Sequence, residues 1–237
     1  QLSSYFLRVP AWVMAGILPL TWMTYLTAYA LKVYGGKEYP LFAANVISMS
    51  VFAVATAVLL FFRYKKNKAE TGSLEELNKI KISEWCFLAA IIIFVAQLMV
   101  LTFTVKEGKM YVGLSVFSDF APHLGMIRSF SYGNNFPTSY AHFAGEDIKY
   151  HFMFQFLVGN LEFLGLRLDH AFNLPSIFGL VASCVLLYAL AVRLTGKRLV
   201  GYLTTLFFVF RSSPSFFRFL ADIPKGELVK TLKEQIG

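Results

Sequence analysis

Apolar residues run almost unbroken from about Pro10 to Tyr34 and again from about Leu41 to Phe62. Runs of this kind approach or exceed the roughly 20 residues that a helix needs to cross a hydrocarbon core. The intervening Gly35-Gly36-Lys37-Glu38-Tyr39-Pro40 is a turn signal short enough to make the two spans an antiparallel hairpin. A third run, about Trp85 to Val105, a fourth, about Leu174 to Val192, and a fifth beginning near Leu199 complete the expectation of five transmembrane helices. Arg211-Ser212-Ser213-Pro214 ends the fifth, and a polar tail, residues 222–237, follows. No alternating ten-residue pattern of an outer-membrane barrel and no internal repeat is present.

Between the spans the pattern changes twice. Residues 64–84 carry the densest basic cluster, Arg63-Tyr64-Lys65-Lys66-Asn67-Lys68 with Lys79 and Lys81 beyond it, which the positive-inside rule places in the cytoplasm. Ser73-Leu74-Glu75-Glu76 fits the S-x-x-E capping box and predicts a short amphipathic surface helix there. Residues 106–172 form a long loop, external by the same rule, with turns predicted at Gly133-Asn134-Asn135-Phe136-Pro137 and Ala144-Gly145-Glu146-Asp147. Within it His151 to Leu164 is apolar but short and polar-spotted, so an interfacial or re-entrant helix is expected in place of a span. That choice leaves Arg193, Lys197 and Arg198 on the cytoplasmic side.

Composition agrees with the pattern. Hydrophobic residues make up 57% of 237 positions and charged residues 15%, well under the roughly one quarter usual in soluble domains. The net charge of +8 belongs to residues flanking helix ends, where it sets orientation and meets lipid headgroups, so no nucleic-acid partner is expected. Cys86 and Cys184 fall within apolar runs and are expected as small core residues with no disulfide or metal role. The chain begins with Gln1, and no signal-peptide pattern is read ahead of the first span, so a processed or trimmed start is expected.

The chemistry concentrates in the loop. All four histidines, His123, His142, His151 and His170, lie between positions 123 and 170, together with Glu146, Asp147, Glu162 and Asp169. Ionisable groups at a membrane face persist where they bind, relay protons or touch substrate. In Ser118-Asp119-Phe120-Ala121-Pro122-His123 a carboxylate and an imidazole stand four residues apart, on one face of an expected helix with Ser118 as N-cap. Phe120, Leu124 and Ile127 form its apolar stripe. Asp119 there suits a general base, and a capping Asp beside a surface His suits the spacing equally. Metal ligation by this pair would need further ligands. Gly145-Glu146-Asp147 predicts a turn with acidic residues opening a helix, along which His151, Gln155, Gly159 and Glu162 make one polar stripe, either solvated or substrate-lining. Arg128, Lys149 and Arg167 are cations able to hold phosphate or to snorkel at the interface.

Ser118-Asp119 followed by His123, then Ile127-Arg128-Ser129-Phe130, Asn135-Phe136-Pro137, Phe143-Ala144-Gly145 and Tyr150-His151, resemble the first external loop of GT-C superfamily glycosyltransferases. Leu174-Pro175-Ser176 and the stretch from Leu190 to Arg198 extend the resemblance, which covers about Trp85 to Leu220. It implies an all-α membrane enzyme of GT-C type whose membrane core is residues 85–221; the transmembrane hairpin, residues 1–63, and the cytoplasmic loop, residues 64–84, precede the matching part. Such an enzyme would take a sugar from a polyprenyl-phosphate donor on the extracytoplasmic side of the plasma membrane. Asp119 matches the family's acidic catalytic position. His123, Asp147, Tyr150 and His151 are then expected to contact substrate, and Arg128 or Lys149 the phosphate. Some relatives use a divalent metal and others none. Family members usually carry more spans than five, so this chain is expected either as the front portion of a longer enzyme or as a reduced relative with a partner chain. Two other classes compete. A membrane scaffold would leave Asp119 in bulk water without a cavity, and a transporter would line a channel with His151, Gln155 and Glu162.

Overall fold

The computed structural model describes residues 3–66, 79–113, 116–143 and 145–210, with 221, 223, 226, 227 and 230 in the tail. The described residues are mostly helical, as a lipid-selected composition requires, because a helix satisfies its own backbone polar groups. Seven helices are present among them: α1 (Tyr5–Val33), α2 (Leu41–Lys66), α3 (Ile82–Thr102), α4 (Phe117–Ser131), α5 (Met153–Phe163), α6 (Leu168–Thr195) and α7 (Arg198–Val209). Four of these, α1, α2, α3 and α6, are long and apolar enough to cross a membrane. This is an all-α type of membrane protein with one small exception. The expected third span stops at Thr102, and Phe103–Lys106 (β1) pairs antiparallel with Lys109–Val112 (β2). The β-branched Thr104 and Val105 favour extended backbone, and Glu107 (φ 51°) and Gly108 (φ 74°) supply the two positive φ values of a tight hairpin turn. The expected fifth span corresponds to α7, whose 12 residues fall short of a membrane's width; Arg211–Pro214 and the capping box at Ser73–Glu76 lie outside the described residues.

Contacts divide the chain into two units, residues 1–186 and 187–237. In the first, α1 and α2 pack as a hairpin. Its turn places Gly35 where a Cβ would lie 2.8 Å from the Leu31 carbonyl oxygen, and Gly36 takes φ 61°. The turn end of this hairpin carries the loop. Tyr25, Ala28, Leu41 and Ala44 join Met126 and Phe130 of α4, Phe136, and Phe156 of α5 in one buried cluster. The Tyr25 ring meets Phe136, Phe152 and Phe156 with centroids 5.2–5.8 Å apart, and its hydroxyl donates to Thr138 Oγ1 (2.8 Å), which donates on to the Asn135 carbonyl. Asn45 of α2 and Asn160 of α5 exchange a reciprocal pair of amide bonds, 2.7 and 2.9 Å, both side chains buried.

A second buried cluster gathers Phe103 of β1, Phe120 and Ile127 of α4, Val158 of α5, and Leu168 and Ala171 of α6. The stripe Phe120, Leu124, Ile127 thus faces protein. Buried Asp169 fixes the strand to this end of α6: it accepts Val105 N–H (3.0 Å), and Asn173 donates to the Phe103 carbonyl (2.9 Å). In the second unit Tyr188 stacks on Tyr202, centroids 5.1 Å apart, over Gly201, where a Cβ would strike the Tyr188 ring and Val192. Cys184 is buried as expected, but Cys86, expected in the core, is exposed on α3.

The polar stripe of α5 departs from a solvated face. Gln155, Gly159 and Glu162 all turn onto α4, and at Gly159 a Cβ would lie 2.5 Å from the Ile127 carbonyl oxygen and 3.1 Å from Phe130 Cβ. The two backbones approach as closely as they do because no side chain intervenes. Gly159→Ala is therefore expected to cost on the order of 1–3 kcal/mol through forced separation of α4 and α5. Thermal unfolding of the purified protein in detergent checks this against Gly179→Ala, a helical glycine with open space around it. Equal midpoints for the two variants would refute the close-packed seam.

Candidate functional site

Asp119, Pro122, His123 and Met126 of α4, Tyr140, His142, Ile148 and Tyr150 of the loop, and Gln155 of α5 enclose a cavity of about 180 Å³. Each wall has a local cause. Asp119 and His123, one helical turn apart, share a face of α4. The helix starts at Phe117 with Val116 as N-cap, so Ser118 is not the cap, and Asp119 sits in the first turn where a carboxylate is favoured by the helix dipole. No helix opens at Gly145-Glu146-Asp147, where one was expected. Instead Asp147 forms an isolated bridge with Ser139, and the chain remains irregular until Met153. Along residues 147–150 the side chains alternate: Ile148 and Tyr150 face the cavity, while Asp147 and Lys149 stay in solvent, Lys149 pairing with Glu146 at 3.5 Å.

Asn135 anchors the other wall. Its oxygen accepts Ser139 N–H (2.8 Å) and Ser139 Oγ–H (3.1 Å), and its nitrogen donates to Ser129 Oγ (3.0 Å) and the Ser139 carbonyl (2.9 Å). That knot holds the 135–139 turn on α4 and delivers Tyr140 and His142 to the cavity. His142 Nε2–H donates to the Pro122 carbonyl (2.9 Å), over Gly125, where a Cβ would press on the imidazole at 2.7 Å.

His123 is oriented through Gln155. The Gln155 amide is assigned with its nitrogen donating to the carbonyls of His151 (3.2 Å) and Phe152 (3.3 Å), which leaves its oxygen to accept from His123 Nδ1 at 2.8 Å. The imidazole is thereby fixed as the Nδ1–H tautomer, with the Nε2 lone pair free among the described residues. Asp119 is exposed to the cavity and has no hydrogen-bond or ion-pair partner among the described residues, His123 included. A free carboxylate and a tautomerically fixed imidazole on one wall, with two phenols opposite, can accept protons from hydroxyl groups and orient a small polyhydroxylated molecule. No three His, Cys, Asp or Glu side chains among the described residues converge as a metal set.

No family model, curated protein or solved structure matches this chain.

The structure brings together Asp119, His123 and Tyr150 of the residues expected from sequence, and separates the others. His151 lies just outside, its ring against Tyr150 with centroids 3.9 Å apart. Arg128 is nine residues beyond Asp119, and at about 100° per residue it points from the opposite side of α4. There it reaches Glu162 (3.5 Å) and lies over Tyr132. His170 accepts from Arg167 Nη2 (3.0 Å), away from the cavity. Tyr140, His142, Ile148 and Met126 were not expected from sequence as site residues. The clustering of the histidines pointed to His142, whereas the Tyr140 placement depends on the Asn135 knot and has no periodic signature.

With Gln155 intact, nitrogen chemical shifts of the neutral His123 ring should report protonation at Nδ1, and Gln155→Leu should release the ring into a tautomer mixture. Histidine-selective labelling in micelles measures this; a wild-type ring protonated at Nε2 would contradict the assigned network.

Proposed function

We propose that this chain is a membrane glycosyltransferase of GT-C type, or the front part of one, which moves a sugar from a polyprenyl-phosphate donor to an acceptor hydroxyl. The observation that carries the reading is the unpartnered Asp119 carboxylate in a polar cavity beside His123, whose Nε2 lone pair is available. Asp119 would remove the acceptor hydroxyl proton as that oxygen bonds to the anomeric carbon, while the bond from that carbon to the phosphate oxygen breaks and the lipid phosphate departs. His123 Nε2 would accept a hydrogen bond from a sugar hydroxyl, and the Tyr140 and Tyr150 rings would flank the sugar. A cavity of about 180 Å³ suits one sugar ring. A scaffold has no need of Asp119 in a cavity, and a channel is disfavoured because Gln155 and Glu162 are engaged with α4.

The reading includes an orientation. Arg63, Lys65, Arg193, Lys197 and Arg198 would face the cytoplasm and the cavity the exterior of the plasma membrane. The packing of α4 and α5 on the turn end of the α1–α2 hairpin, opposite the basic run at 63–66, supports this. Only about 11% of the α2 and α3 spans is buried, which fits further helices or a partner chain beside them.

Sugar transfer from polyprenyl-phosphate-linked donors, assayed in membranes expressing the intact gene product, tests the assignment. Asp119→Asn should lower turnover by roughly 10²- to 10⁴-fold with donor binding retained. Unchanged turnover would remove Asp119 from the chemistry, and no transfer by the wild type would favour the scaffold.

A further inference from the structure

A second cavity, of about 480 Å³, opens between the β1–β2 hairpin and the seam of α4 and α5. Its lining combines two guanidinium groups, Arg128 and Arg167, with Val105, Met110, Leu166 and Leu168. Both arginines are paired with carboxylates that have almost no exposure of their own, and one of these, Glu162, is also part of the groove wall. Glu162, 6% exposed, accepts from Ser131 Oγ (2.7 Å) and reaches Arg128 at 3.5 Å. Asp169, 2% exposed, takes Arg167 Nε and Nη2 at 2.6 and 2.8 Å, and its hydrogen bond holds the guanidinium above its ordinary pKa. The arginine side chains are themselves half exposed, 49% and 53%. The carboxylates are occupied, whereas each guanidinium keeps N–H donors in excess of those bonds. Lys106 and Lys109, the pair that follows Val105 and Met110 in the hairpin register, fall on the other face of the ribbon and stay exposed outside the groove.

We propose that this groove holds the headgroup phosphate of an anionic phospholipid. A free phosphate would need only the cations, but the groove also offers an apolar wall. It lies at the ends of two helices fit to cross a membrane: Val105 is three residues past α3, and Leu168 opens α6. Headgroup phosphates sit at that level, with acyl carbons directly beneath. The site is separate from the Asp119 cavity because Arg128 leaves the far side of α4, and the inference does not rest on the glycosyltransferase reading.

Native mass spectrometry and thermal unfolding of the full chain, with phosphatidylglycerol, phosphatidylcholine, inorganic phosphate or glycerol 3-phosphate added, provide the test. Phosphatidylglycerol should be retained and raise the unfolding midpoint, phosphatidylcholine should do neither, and the soluble phosphates should fail to displace the lipid. Arg128→Gln should weaken retention by about tenfold, the effect of losing one charge-assisted contact. Arg167→Gln would strand buried Asp169 and perturb folding, so Met110→Glu, which sets a carboxylate on the exposed hairpin wall of the groove, is the second variant and should also lower retention. Lys37→Gln, on the α1–α2 turn and outside the groove lining, should change nothing. Wild-type retention by folded Arg128→Gln and Met110→Glu proteins, equal retention of phosphatidylcholine, or displacement by inorganic phosphate would each overturn the proposal.

Discussion

The contact between α4 and α5 at Gly159 is the constraint on which the rest of the structure depends. With no side chain at that position, the Ile127 carbonyl and the α5 backbone come together, and the polar groups above and below them fall into register. One turn before Gly159, Gln155 meets His123. Roughly one turn after it, Glu162 meets Ser131 and Arg128. A larger residue would move the helices apart and break both sets of bonds. The seam also divides the molecule's chemistry, since the Asp119 cavity opens on one side of α4 and the arginine-lined groove on the other.

Around that seam the membrane helices act as supports. The turn end of the α1–α2 hairpin offers an aromatic and small-residue surface, with Tyr25, Ala28 and Ala44, on which α4, α5 and Phe136 settle. The Asn45–Asn160 pair adds a polar tie, and such amide pairs between helices are worth roughly 0.6–2 kcal/mol in apolar surroundings. On the opposite side Asp169 and Asn173 clamp the β hairpin through backbone groups. A loop of more than 60 residues thereby becomes an ordered layer without needing a separate domain core.

Each polar tie also occupies a group that would otherwise be open to a ligand. Glu162 and Asp169, both candidates by type and position, are consumed in holding arginines. Asp119 has no such engagement among the described residues, which is why a single carboxylate carries the functional reading.

Hydropathy and charge placed the four long helices to within a few residues, because burial in lipid demands continuous apolar length and that demand is written locally. The short helix after His151 and the apolar stripe on α4 were legible for the same reason, since both follow the helical period. Asp119 and His123 were visible as a one-turn pair. Other features depended on partners distant in sequence. The end of α3 at Thr102 and the hairpin beyond it are set by a pairing register with residues 109–112, which an apolar window does not register. The irregular course of residues 145–152 in place of a helix follows from Ser139 and the Asn135 knot. Whether a polar stripe on α5 met water or protein was decided by packing, because spacing fixes which residues share a face but not what that face touches. For the same reason only the tertiary structure could join Tyr140, His142 and Gln155 to Asp119, and turn Arg128 away from them.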